Sequence, residues 1–82
     1  MQETNPLGGL SSRVAETVRI ELARRRMSQR ALADATGLSQ SYIARRMTSE
    51  MPFTTEDLDR IALALGVPVL ALLGAASAAP AA

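Results

Sequence analysis

The sequence lacks cysteine, histidine, lysine and tryptophan, and these absences exclude several classes of site. Without cysteine the chain forms no disulfide and no thiolate metal site. Without histidine as well, zinc would depend on carboxylates alone, although it prefers nitrogen and sulfur ligands. Cysteine and histidine are also the usual nucleophile and general base, and no carboxylate pair stands in a cleft-forming context. We therefore expect no metal, no cofactor and no enzymatic activity.

Aromatic residues and excess charge are scarce too. Tyr42 and Phe53 are the only aromatic side chains, too few to stack the successive bases of a single-stranded nucleic acid. All basic residues are arginine, and the net charge is +1. This near balance excludes a general coat for polyanions but allows a local basic face. With 48% hydrophobic residues, the chain is too apolar to be disordered throughout.

Charged residues are absent from position 61 to position 82, a stretch long enough to raise the alternative of a membrane anchor. Glycines and prolines interrupt this stretch, and its second half is mostly alanine. Two short helices joined by a turn explain its leucines without a membrane. We expect no membrane segment, and the absence of cysteine fits a cytoplasmic protein.

The remaining pattern predicts an all-α protein, because apolar residues recur at helical spacing and no strand pattern is present. Residues 1–10 contain proline and glycine and are expected to be a flexible lead-in. Ser11 or Ser12 caps a first helix that runs to about Met27.

Capping residues divide the rest of the chain into four further helices. The residues predicted to begin them are Ser28, Ser39, either Thr54 or Thr55, and Pro68. Gly37 and Gly66 end the second and fourth helices, and the third spans about residues 40–47. The result is a compact five-helix domain over residues 11–74, followed by a disordered alanine-rich tail over 75–82. In the fifth helix, Leu70 and Leu73 face the core or a partner.

The stretch "SQRALADATGLSQSYIARRM", residues 28–47, has the spacing of a helix-turn-helix. Ala33 is small, as the close crossing of two helices requires, and Gly37 permits the positive φ of the turn. Leu38 and Ile43 anchor the second helix of the motif, the third of the chain, on the helix before it. Apart from these contacts, the helix that starts at Ser39 would bury little, and its polar surface indicates an external partner.

This motif resembles the lambda-repressor-like family, the Xre and Cro group of bacterial and phage regulators. The segment "PFTTEDLDRIALALGVPVLALL" is similar to the family's fourth and fifth helices, with matches at Pro52, Leu58, Ile61, Ala62, Leu65, Gly66 and Val67. Together the matches cover most of residues 12–74. The resemblance implies sequence-specific binding to double-stranded DNA by a transcriptional regulator, a repressor that acts by promoter occlusion.

The resemblance also implies roles for individual residues. In such proteins the helix that begins here at Gln40, the recognition helix, lies in the major groove. The residues in the positions of the family's base readers are Gln40, Ser41 and Arg45. The residues expected to contact the DNA backbone are Ser28, Gln29, Tyr42, Arg46 and Thr54. The alternative for the base readers is a solvated helix surface, and for Tyr42 it is packing within the protein.

A homodimer is also expected. One recognition helix reads only a few base pairs, so useful specificity implies two copies on a near-palindromic operator. The fifth helix is too apolar to bury every face in so small a core. The expected dimer interface is therefore Val67, Val69, Leu70 and Leu73.

Two features depart from the family's pattern. Many members carry a buried arginine in the first helix that pairs with a glutamate in the third, and the matching residues here are Leu22 and Met47. An apolar pair can replace a buried ion pair without loss of stability. The loop after the third helix carries Glu50 where relatives often have basic residues, which removes phosphate contacts.

Two alternatives keep the fold but change the function. A protein-interaction module is favoured by the near-neutral charge and by Glu50, whereas the base-reading set opposes it. An antitoxin would bind both DNA and a protein partner. Binding to phosphates weakens steeply as salt rises, so salt dependence distinguishes DNA binding from protein interaction.

Overall fold

The computed structural model describes residues 8–48 and 50–77, including the side chains of residues 9–48 and 50–73. Within these ranges the backbone forms five α-helices and no strand. Their bounds are α1 Gly8–Arg25, α2 Gln29–Thr36, α3 Gln40–Met47, α4 Thr55–Leu65 and α5 Val69–Ser77. The predicted all-α, five-helix fold is confirmed.

Local caps set the inner helix boundaries. The hydroxyl of Ser28 accepts a hydrogen bond from the Ala31 backbone N–H, and Ser39 does the same for Tyr42. These bonds satisfy donors that have no partner inside the first turn of a helix. Thr54 belongs to a reciprocal capping box: its hydroxyl accepts from the Asp57 backbone N–H in the first turn of α4, and its own N–H donates to the Asp57 carboxylate.

The outer ends of the helical region differ from the predictions. Helix α1 begins at Gly8, so Ser11 and Ser12 lie inside the helix and residues 8–10 are not a flexible lead-in. Helix α5 continues through Gly74 to Ser77, because alanine is the best helix former and one glycine does not end the run. The other predicted lead-in and tail residues, 1–7 and 78–82, lie outside the described residues.

Left-handed residues end three of the helices. Gly37 and Gly66 have φ values of 79° and 71° after α2 and α4, as the sequence predicts. After α1 the same conformation falls on Arg26, with φ of 52°, and the next N–H, that of Met27, donates to the Leu22 carbonyl at 2.9 Å. This is the Schellman motif, in which the left-handed residue is usually glycine and here is an arginine.

One cluster of buried side chains joins the helices. Helix α1 packs on α3 and α5, and α2 packs on α3 and α4. Leu22 and Met47, the pair at the family's ion-pair positions, are both core residues, exposed by only 4% and 2%. The buried hydrophobic residues are Val14, Ala15, Val18, Leu22, Leu32, Ala33, Ile43, Met47, Leu58, Ile61, Ala62, Leu65 and Leu72.

Helix α5 faces the core mainly with Leu72, and the two leucines expected to face the core or a partner are placed differently. Leu72 is fully buried, whereas Leu70 is 70% exposed and so faces away from the core; Leu73 is half-buried against it. Since α5 is short, a single leucine with its flanking residues is enough to hold it on α1. None of the helices described is both long enough and apolar enough to cross a bilayer.

Candidate nucleic-acid interface

Helices α2 and α3 and the turn between them form the helix-turn-helix. Ala33 and Ile43 are buried where the helices meet, and Leu38 of the turn is half-buried against the same cluster. Arg60 of α4 supports the turn, because its Nη1 donates to the Thr36 carbonyl at 3.2 Å.

The outward side of α3 carries the three predicted base readers. Gln40, at the start of α3, is exposed, and so are Ser41 and Arg45. Ile43 and Met47, on the side opposite Ser41 and Arg45, are buried. The guanidinium of Arg45 has no hydrogen-bond or ion-pair partner among the described residues. The Ser41 hydroxyl lies 3.5 Å from that of Ser39. A helix with an exposed polar side, whose other side is fixed in the core, is suited to an external ligand.

The predicted backbone contacts at helix starts lie on the surface. Ser28 and Thr54 are exposed, and Gln29 is half-buried at the first position of α2. The hydroxyls of Ser28 and Thr54 each accept a capping hydrogen bond, and the hydroxyl hydrogen can still be donated to a further acceptor. Backbone N–H groups and the helix dipole favour a phosphate at such ends.

Tyr42 and Arg46 have partners inside the protein. The Tyr42 hydroxyl donates to the Asp57 carboxylate and lies 2.9 Å from both of its oxygens. The Arg46 guanidinium lies over the Tyr42 ring, with Cζ 3.4 Å from the ring centroid. Its Nε is 3.6 Å from Asp57 Oδ2. The hydrogen bond to Asp57, with partial burial and the carboxylate charge, raises the pKa of Tyr42 above its ordinary value.

This arrangement changes the interpretation of two predicted phosphate contacts. The side chains of Arg46 and Asp57 are only 11% and 5% exposed, so the cation and the carboxylate are withdrawn from the surface together. The Tyr42 hydroxyl already donates its proton to Asp57, so it has no second proton to donate to a phosphate. The geometry therefore favours packing within the protein for Tyr42, the alternative raised from the sequence, and favours the same for Arg46.

Two further arginines reach helix C-termini, which the sequence did not reveal. Arg19 of α1 donates from Nη1 to the Met47 carbonyl at 2.7 Å, and Arg25 reaches the Leu65 carbonyl at 3.5 Å. Cations are favourable at these ends because the last carbonyls have no partner inside the helix. No local pattern signals such contacts, because the partners lie 28 and 40 positions apart.

The predicted dimer residues divide into two kinds. Val67, Val69 and Leu73 are half-buried against the core, whereas Leu70 projects with 70% of its surface exposed. On α4, Leu63 is similarly exposed at 76%. Of the predicted set, Leu70 is the residue that offers the most apolar surface.

Comparison with known proteins agrees with this architecture. A family model described as helix-turn-helix matches residues 18–72. No curated protein sequence gives a significant match. Among solved structures, the clp gene regulator ClgR from C. glutamicum is similar, with 25% identity and a TM-score of 0.79 over 88% of this chain and 94% of that one.

Two further structures share the fold. The hypothetical transcription factor NHTF from Neisseria is 25% identical, with a TM-score of 0.75 over 89% of this chain and 84% of that one. The restriction-modification controller protein C.AhdI from Aeromonas hydrophila is 21% identical, with a TM-score of 0.71 over 74% and 92%, and shows the fold alone. Since the family model covers more than half of the sequence, the chain belongs to the lambda-repressor-like helix-turn-helix family of DNA-binding transcription regulators.

Proposed function

We propose that this protein binds a near-palindromic operator as a homodimer and represses transcription by occluding a promoter. The observation that carries the proposal is the outward side of α3, where Gln40, Ser41 and Arg45 are exposed and the Arg45 guanidinium has no partner among the described residues. The gene-regulator description of ClgR, which is 25% identical, supports a regulatory role.

The three side chains supply the chemistry of base reading. Arg45 presents two parallel N–H donors that match the acceptors of guanine, and Gln40 presents a donor and an acceptor that match adenine. Each such bidentate pair discriminates against a wrong base by about 1–3 kcal/mol. Ser41 adds a hydroxyl that donates or accepts. The start of α3 therefore enters the groove and reads a short half-site.

Phosphate contacts at the ends of α2 and α4 orient this helix. Ser28 and Gln29 meet one phosphate, and Thr54 meets another, in each case beside backbone N–H groups at a helix start. Such contacts set the register on the duplex but carry no sequence information. Glu50, exposed in the loop after α3, repels phosphate, so a single copy binds weakly.

The second copy supplies the missing affinity. The dimer interface consists of Leu70 with the flanking half-buried residues Val67, Val69 and Leu73. A two-fold pair of recognition helices reads half-sites about 34 Å apart, one turn of the DNA helix.

Selection from random duplex DNA tests the proposal. We expect a near-palindromic consensus, and Arg45→Ala is expected to lose preference at one base pair of each half-site. Arg30→Ala is the charge-matched control, since Arg30 is exposed on α2 and, among the described residues, has no hydrogen-bond or ion-pair partner either. Uniform weakening on every sequence by both variants would reduce Arg45 to a backbone contact.

A second candidate function is favoured by the exposed Glu50 and the near-neutral charge. A protein-interaction module would use the same fold without tight DNA binding, whereas an antitoxin would bind a protein partner as well as DNA. Affinity for duplex DNA that falls steeply between low and moderate salt supports the regulator. Absence of salt-dependent binding to any duplex supports the module.

A further inference from the structure

Three side chains beside the outward side of α3 form a cluster that the base-reading model does not use. Tyr42 and Arg46 lie one turn apart on α3, and both contact Asp57 in the first turn of α4. The same carboxylate accepts the Thr54 backbone N–H at 2.9 Å. We call these three residues, Tyr42, Arg46 and Asp57, the Asp57 cluster.

The cluster fixes α3 at a sensitive point. Arg45, the proposed guanine reader, directly precedes Arg46, and Ile43, which anchors α3 in the core, directly follows Tyr42. On a helix, the side held by residues 42 and 46 therefore lies between the reading side and the buried side. A rotation of α3 about its axis would move Arg45 and would break the contacts to Asp57.

The charges in the cluster also matter for a protein that approaches phosphates. Arg46 lies on the tyrosine ring, and its guanidinium is neutralised by a carboxylate that is itself 5% exposed. Its buried Nε has no hydrogen-bond partner among the described residues, so Asp57 at 3.6 Å is its main compensation. A buried charge that loses its counter-charge is costly, and the side chain would then turn outwards to solvent or to a phosphate.

We infer that Asp57 is a positioning residue for DNA recognition. It holds Tyr42 and Arg46 against α4, fixes the rotation of α3, and withholds the Arg46 cation from DNA phosphates. The cluster thereby lowers the affinity for DNA of any sequence and raises the discrimination between bases. This inference rests on the proposed function, since it concerns the same reading helix.

The first test needs no DNA. Tyr42 is the only tyrosine in the chain and there is no tryptophan, so ultraviolet absorbance titration follows this hydroxyl alone. Asp57→Asn keeps a side-chain acceptor for Thr54 but removes the charge. We expect the pKa of Tyr42 to fall towards its ordinary value in this variant, and to stay unchanged in Asp59→Asn, the control on the exposed side of α4. An unchanged Tyr42 pKa in Asp57→Asn would overturn the inference.

The second test measures salt dependence on a random-sequence duplex. Released Arg46 adds one phosphate contact, so the slope of log affinity against log salt is expected to steepen by about 0.9 in Asp57→Asn. Preference for the selected operator over random sequence is expected to fall by about tenfold, the order of one misplaced bidentate contact. The Asp59→Asn control is expected to retain the wild-type slope and preference.

A double variant separates positioning from direct contact. Arg46→Gln with Asp57→Asn removes both charges, so the slope on random sequence is expected to remain that of the wild type while preference is still reduced. A slope that becomes shallower by about 0.9 would show that Arg46 already contacts a phosphate, and would overturn the inference. If Asp57→Asn does not fold, Tyr42→Phe is the second variant; it removes only the hydroxyl, and a wild-type operator preference in it would also overturn the inference.

The outcomes distinguish a failure of the proposed function from a failure of the positioning role of Asp57. A wild-type protein that shows no salt-dependent binding to any duplex rejects the proposed function, and the inference about DNA falls with it. A wild-type protein that binds its operator, together with an Asp57→Asn variant of unchanged slope and preference, rejects the positioning role alone.

Discussion

The Arg19 guanidinium of α1 lies 2.7 Å from the carbonyl oxygen of Met47, the last residue of α3. The same arginine pairs with Glu16 at 2.9 Å on the surface of α1. A cation at a helix C-terminus satisfies a free carbonyl and complements the helix dipole. Arg19 thus holds α1 against the C-terminal end of α3, opposite the end that begins at Gln40.

Replacing Arg19 with methionine tests this contact. Arg19→Met keeps the aliphatic stem but removes the donors, and we expect the free energy of unfolding to fall by about 1 kcal/mol, less than for a buried charged bond because the side chain is half exposed. Arg24→Met is the control, since Arg24 is 70% exposed and, within the part of the chain that the structure describes, pairs only with Glu21. Its effect is expected to stay within about 0.5 kcal/mol. Urea unfolding measures both, and equal losses would contradict the special role of Arg19.

The buried pair Leu22 and Met47 predicts a coupled substitution. Leu22→Arg or Met47→Glu alone buries an unpaired charge and is expected to destabilise the fold by about 3–5 kcal/mol. The double variant restores the ion pair that many family members carry, so its loss of stability is expected to be well below the sum of the two. Thermal unfolding of all three variants gives the coupling energy, and strict additivity would show that the two positions do not pair.

The left-handed backbone of Arg26 leads us to expect that glycine at this position stabilises the fold. It adopts φ of 52° at the end of α1, a left-handed conformation that costs a residue with a side chain about 1–2 kcal/mol. Arg26→Gly removes this cost but adds freedom to the unfolded chain, so we expect a net gain of roughly 0.5–1 kcal/mol in the free energy of unfolding.

Gly66→Ala is the reciprocal control for Arg26→Gly. Gly66 has φ of 71°, and a methyl group there would meet no atom within 4 Å, so only backbone strain is added. We expect a loss of about 1 kcal/mol. Urea unfolding measures both variants, and a stabilised Gly66→Ala would contradict the strain argument for both positions.

Local signals explain which parts of the fold were predictable. Ser28, Ser39 and Thr54 act within one turn of their own helices, so a sequence pattern is enough to find the inner boundaries. The start of α1 and the end of α5 were wrong because no strong cap marks them. Leu72 faces inward and Leu70 does not, because the packing of α5 on α1 sets the rotation of α5 about its own axis. The apolar sequence of α5 is compatible with either leucine facing the core.

The candidate site shows the same division. The exposure of Ser41 and Arg45 follows from helical periodicity once Ile43 and Met47 are buried. Gln40 is exposed although it precedes Ile43 by three positions, because it begins the helix. The internal partner of Tyr42 and Arg46 could not be deduced, because Asp57 lies on another helix, 15 positions beyond Tyr42. From the sequence, Asp57 is only a favourable acidic residue in a first turn.

The raised pKa of Tyr42 predicts how stability depends on pH. Because the folded state holds the hydroxyl proton more tightly than the unfolded chain, this contribution is fully present below the ordinary tyrosine pKa of 10.0. It is lost as pH rises above that value through the folded pKa. We expect the free energy of unfolding of the wild type to fall more steeply above pH 10 than that of Tyr42→Phe. Parallel pH profiles of the two proteins in urea unfolding would contradict the bond to Asp57.

The two most exposed leucines among the described residues provide a matched test of the dimer. Leu70 on α5 is 70% exposed and Leu63 on α4 is 76% exposed, so a glutamate at either position stays in solvent and leaves the fold intact. If α5 forms the interface, Leu70→Glu places two like charges near the two-fold axis, and sedimentation at high concentration is expected to show a monomer. The same variant loses operator affinity, because each half-site is then bound alone. Leu63→Glu is expected to remain a dimer with wild-type affinity. The opposite pattern would move the interface to α4, and two dimeric variants would exclude both leucines from it.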